Sequence, residues 1–127
     1  MLNFVWENKE NYIATFELRL NSGPFESIKA ETKTIEMRLH DEKRQQYSIG
    51  DILIFKKRPE EQETLKAKII NLHKFNSFAD LYNNFNKIQL GYTENETAKP
   101  EDMQEFYTIE DQLKYGVVGI EIKLIKE

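Results

Sequence analysis

The stretch "KTIEMRLHDEKRQQYSIGDILIF", Lys33 to Phe55, decides how this chain is read. It opens with alternation: Ile35, Met37 and Leu39 on one side, Thr34, Glu36 and Arg38 on the other. A period of two marks a strand with one apolar face. "DEKR" (Asp41–Arg44) reads as a solvated loop, and Gly50-Asp51 as a tight turn into a further strand, Ile52–Lys56. The carboxylate and guanidinium in mid-strand have two readings. They belong to a solvated face, where such pairs contribute only about 0.2–1 kcal/mol. Alternatively they form a polar cleft wall, holding each other in position and offering donors to an anion or a base edge.

Outward from this stretch, the same rule finds strands on both sides. Asn11–Leu20 alternates, with Tyr12, Ala14, Phe16, Leu18 and Leu20 facing one way and Ile13, Thr15, Glu17 and Arg19 the other. In "NSGPFESIKA", Pro24 suits the first helical position, and Phe25 and Ile28 dock a short helix. "KRPEEQE" (Lys57–Glu63) is a hairpin loop, followed by a β-rich run from Leu65 to His73. "SFADLYNNF" places Phe78, Leu81, Tyr82 and Phe85 at helical spacing, with Ser77 as cap. Pro100–Tyr107 and Thr108–Tyr115 read as short helices ended by Gly116, and "VVGIEIKLI" closes the chain as a strand. The pattern gives about five or six strands, mostly antiparallel, with short helices at the mouth: an α+β, mainly β, small barrel. Its expected core includes Ile35, Met37, Ile52, Ile54, Ile120 and Ile122.

Composition narrows the function classes. A chain of 127 residues suits one domain with a real core, with residues 1–12 as an N-terminal extension stapled by Trp6. No cysteine is present, which removes disulfides, thiolate metal sites and cysteine nucleophiles. The two histidines, His40 and His73, lie too far apart for zinc-ligand spacing, so no metal and no cofactor is expected. No long apolar run suggests a leader or a membrane span, and the expected location is the cytoplasm, as a monomer. The net charge of −4 argues against non-specific coating of nucleic acid but permits a local basic groove.

Candidate site residues follow from the charged side of the two strands. If the strands are neighbours, Glu17, Arg19, Thr34, Glu36 and Arg38 share a face, with Lys33 at its edge. Lys33 is a solvated lysine at a strand start, or it binds phosphate there or, if desolvated, serves as a base. His73 reads as a hydrogen-bonded rim residue or, as the minority reading, a general acid. "GYTENETAKPED" (Gly91–Asp102) is a long polar loop of the kind that carries function, and its Tyr92 either stacks on a base or packs. Lys43 and Arg44 form a solvated loop or touch phosphate. Tyr107 and Tyr115 are expected in the core.

"PFESIKAETKTIEMRLHDEKRQQYSIGDILIF", "KIINLHKFNSFADLY", "LGYTENE" and "YGVVGIEIKLI", in that order, resemble the ASCH domain (activating signal cointegrator homology) of the PUA-like superfamily. The likeness runs from about Ile13 onward. It implies a small PUA-like β-barrel with a cleft beside the helix-to-strand turn, and binding of RNA or a nucleotide-like ligand. One branch of that family hydrolyses acetylated cytidine and related acylated nucleosides. It uses a lysine, a threonine three residues later and a downstream glutamate; some members are also proposed to cut RNA. The lysine falls on Lys33, the threonine on Glu36, and the glutamate on Glu94 or Glu96. A carboxylate does not replace a nucleophilic hydroxyl, so the resemblance implies a ligand cleft of Arg19, Lys33, Thr34, Glu36, Arg38 and Tyr92. Hydrolysis through Lys33 and Glu36 is the alternative. Glu31 stands where relatives often have glycine; a positive φ there costs on the order of 1 kcal/mol.

Overall fold

The computed structural model describes residues 12–126. Trp6 and the rest of the extension up to Asn11 lie outside the described residues. The element order is β1 (Thr15–Leu20), α1 (Ser22–Lys29), β2 (Ile35–Leu39), β3 (Ile52–Lys57), β4 (Thr64–Phe75), α2 (Phe78–Asn84), α3 (Ile109–Tyr115) and β5 (Val117–Leu124), with 3₁₀ turns at Arg44–Gln46 and Pro100–Glu105. The strands form one sheet in the order β1-β3-β4-β5-β2, parallel only between β1 and β3. This is a five-stranded half-barrel with a few short helices, the α+β, PUA-like architecture the sequence implies.

Local chemistry accounts for the joints. Thr108 and Ser77 cap their helices by accepting from Asp111 N and Asp80 N. Gly116 ends α3 at φ +71°, where a side chain is disfavoured. Asp51 accepts from the backbone N–H groups of Ser48 and Ala14, so the turn before β3 also fastens the entry to β1. Pro24 lies inside α1, two residues after its first helical position.

Two apolar clusters flank the sheet. Leu18, Leu20, Phe25, Ile28, Leu53, Phe55, Ile69 and Ile120 fill the barrel under α1. Ile35, Met37, Leu39, Phe78, Leu81, Leu90 and Met103 pack between β2 and the segment carrying α2. Three expectations are corrected. β1 and β2 are not neighbours; they are the two outer strands of the sheet, because β1 pairs with β3 and β2 with β5. Leu53 and Phe55 are fully buried while Ile52 and Ile54 are only half-buried. "ILIF" is apolar throughout, so alternation had no parity to offer there. Tyr12 and Ile13 are exposed, because the first strand begins at Thr15.

Candidate functional site

The polar side of β2 does not face solvent. Lys33 and Glu36 are only 6% and 5% exposed, and Arg38 is largely buried beside them. Both carboxylate oxygens of Glu36 are engaged: Oε1 lies 3.4 Å from Lys33 Nζ, and Oε2 accepts from Arg38 Nε at 2.8 Å. Burial by itself raises the Glu36 carboxyl, but the charges of Lys33 and Arg38 outweigh it and hold the group below its ordinary value. Arg38 remains charged, since Glu36 outweighs the cost of its burial. Arg38 also reaches across the sheet opening, where Nη2 donates to the Arg19 carbonyl at 3.4 Å. That bond spans the gap between β1 and β2.

Lys33 is surrounded by acceptors. Its ammonium donates to the carbonyls of Ile35 (3.0 Å) and Leu90 (3.1 Å), and Glu36 is its third partner. The next residue of the facing loop, Gly91, has φ +109°, and a Cβ there would sit 3.1 Å from Lys33 Cδ. Lys33 therefore ties the Leu90–Gly91 segment to β2, and only glycine permits that approach.

These groups open onto a cleft of about 730 Å³. β1, the start of α1 and the β3–β4 hairpin contribute Arg19, Asn21, Pro24 and Arg58; the segment following α2 contributes Tyr92, Glu96, Asp102, Phe106 and Tyr107. The long polar loop is held in place. Lys87 donates to the carbonyls of Glu94 and Glu96 at 2.8 and 2.7 Å. Tyr92 Oη donates to Asp102 at 2.8 Å, so in its 2.7 Å contact with Tyr82 the Tyr82 hydroxyl is the donor. Burial and these two partners raise the Tyr92 hydroxyl well above the ordinary tyrosine range. Tyr107 is also raised, chiefly by burial.

The remaining sequence candidates separate cleanly. Arg19, Lys33, Glu36, Arg38 and Tyr92 line the cleft; Thr34 does not. Glu17 is exposed and pairs with Lys56 at 3.2 Å, away from Glu36. Of the two loop glutamates, Glu96 lines the cleft. His73 meets Glu121 at 2.8 Å and packs edge-on against Phe85. Arg44 pairs with Asp41 rather than lining the cleft. Tyr107 and Tyr115 are half-buried and pack against the second apolar cluster, at its margin and not within the core, and Tyr107 lines the cleft as well. Sequence reasoning missed Arg58, Asp102 and Phe106. Only Asp102 carried a signal, as the last residue of the loop already singled out. A second concavity of about 790 Å³ lies around His40, Lys74 and Lys114. Burial, then Lys74, lowers the His40 imidazole. No charged residue of that second site is buried, in contrast to Lys33 and Glu36.

The family model of the ASCH domain matches residues 15–126. The chain belongs to the ASCH domain family. Two solved structures share the fold of this ASCH domain. The crystal structure of hypothetical protein PH0355 is 35% identical with a TM-score of 0.70, covering 87% of this chain and 99% of that one. The solution structure of protein PF0455 from Pyrococcus furiosus is 32% identical with a TM-score of 0.64, covering 89% and 99%. No curated protein matches the chain. Among the described residues, no helix is long and apolar enough to cross a membrane.

Proposed function

We propose that the cleft between β1 and β2 binds RNA or a nucleotide-like ligand. The observation that carries this reading is the buried Lys33–Glu36–Arg38 array opening onto a cleft that also holds Arg19, Arg58 and a group of aromatic rings. Burying such charges is costly and adds little stability over an apolar core, so the array needs another reason to exist. Bases stack on aromatic faces, and guanidinium groups take phosphate in two-pronged fashion. Phe106 is 59% exposed beside the cleft and is the stacking platform. Arg58, in the hairpin, meets phosphate, and Arg19 does so with the guanidinium nitrogens left over from its exposed 3.0 Å pair with Glu61. Each Glu36 oxygen keeps a lone pair for a base amino group. Lys33 acts as a positioning residue.

The hydrolase alternative ranks below binding for two reasons. Acyl-amide hydrolysis needs a nucleophile and a base in reach of one carbonyl. The family's threonine position holds Glu36, and the Lys33 ammonium is engaged by two backbone carbonyls with the Glu36 carboxylate beside it. The test is titration with nucleotides and short single-stranded RNA. Phe106→Ala should weaken binding by roughly tenfold, the worth of one stacked base, with the melting temperature unchanged. Arg38→Ala and Lys33→Ala should weaken it too, accompanied by a stability loss. Turnover of acetylated cytidine that disappears in Lys33→Ala would reverse this ranking.

A further inference from the structure

The strand register maps the outer face of the sheet as well as the cleft. Lys68 of β4 stands directly opposite Lys123 of β5, both exposed. Lys66 is two residues along the same face, paired in register with Ile54 of β3. Like charges set directly across an antiparallel ladder repel, an arrangement that a stability argument alone disfavours. The carboxylates nearest along the strands make their close contacts elsewhere. Glu17 is taken by Lys56, and Glu121 by His73. Among the described residues, none of Lys66, Lys68 and Lys123 makes a salt bridge. A concentrated positive strip thus sits on a chain of net charge −4. It also connects to the cleft. Lys56 pairs in register with Arg19, and Arg19 lines the cleft.

We infer that the outer face of β4 and β5, through Lys66, Lys68 and Lys123, is a second contact surface for the phosphate backbone of an RNA strand whose other end occupies the cleft. The strand leaves the cleft over β1 at Arg19 and Lys56, where phosphate competes with their partly exposed carboxylate partners Glu61 and Glu17, and crosses the sheet to the three lysines. The inference rests on the cleft reading for the class of ligand, nucleic acid, and adds its length: a chain of several nucleotides rather than a mononucleotide. The lysine ammonium groups meet phosphates as point charges and read no sequence.

The experiment compares a mononucleotide with a single-stranded RNA of about twelve nucleotides, within the usual span of such sites. Lys66→Gln, Lys68→Gln and Lys123→Gln are combined in one variant. The expected result is an unchanged mononucleotide affinity and a twelve-mer affinity lower by roughly tenfold at low salt. The slope of log K against log salt should flatten by about 2, the share of three lost phosphate contacts on a single strand. A twelve-mer affinity and slope equal to those of the native chain would overturn the inference. So would lysine-dependent binding to anionic lipid vesicles with no lysine-dependent RNA binding. Failure of the cleft reading looks different: the native chain takes no mononucleotide, and Phe106→Ala leaves the twelve-mer unaffected. A separate arm tests the repulsion itself. Lys68→Gln alone should raise the melting temperature, and a fall would remove the argument drawn from the opposed pair.

Discussion

Glu36 is the residue on which the site turns. It is a buried anion between two buried cations, and its partners depend on it as much as it depends on them. Glu36→Gln keeps the shape and removes the charge, leaving Lys33 and Arg38 without a counter-ion. The expected cost is about 3–5 kcal/mol, the range for breaking a buried pair from one side, read as a lower denaturant midpoint. The pH dependence has a definite sign. The folded-state carboxyl lies below its ordinary value, so its stabilisation is fully present above the unfolded value of about 4.3 and is lost as pH falls through the folded one. Melting curves taken from pH 7 downward should show the native chain losing stability in that acid range and Glu36→Gln losing less. Equal losses in the two proteins would mean that Glu36 does not titrate this way.

At the scale of elements, the turn from α1 to β2 sets where Lys33 begins. Glu31 carries it at φ +64°, the left-handed conformation that the family resemblance implied for this turn. Its backbone N–H donates to the Ile28 carbonyl at 2.9 Å, and its side chain makes only an exposed pair with Lys126 at 2.6 Å, worth little. Glu31→Gly should therefore stabilise the fold by about 0.5–1 kcal/mol, the left-handed strain relieved less the added freedom of the unfolded glycine. Urea unfolding measures it, and a destabilised variant would place the strain elsewhere. The elements were legible where polarity alternated, as in β2, and where a cap or a glycine marked an end, as at Ser77, Thr108 and Gly116. Two things were not. An all-apolar run such as Ile52–Phe55 carries no parity, so its inward face was assigned wrongly. Strand order was hidden as well, because alternation tells which side of a strand is apolar but not which strand lies beside it. Glu17 was grouped with Glu36 on the assumption that β1 and β2 pair. Arg58 and Phe106 escaped because their place in the cleft comes from long-range folding alone.

For the whole molecule, the register implies a gradient of resistance to opening. β3, β4 and β5 are paired on both sides, whereas β1 and β2 each have one paired side and meet across the cleft through Arg38. Native-state hydrogen exchange should find the slowest amides in β3, β4 and β5 and faster ones in β1 and β2. Cleft ligands should slow the latter. Equal protection across all five strands would indicate a closed ladder instead. The side-chain link between β1 and β2 has a further consequence. A sheet edge with free N–H and C=O groups invites a strand from another molecule, the first step toward aggregation, and a closed barrel avoids this by having no edges. This chain leaves its barrel open, but its two raw edges border the same cleft, where the Arg38 guanidinium occupies the Arg19 carbonyl and Gln89 O accepts from the amides of Thr34 and Ile35 at the start of β2. The opening of the cleft is thereby also guarded against a stray strand.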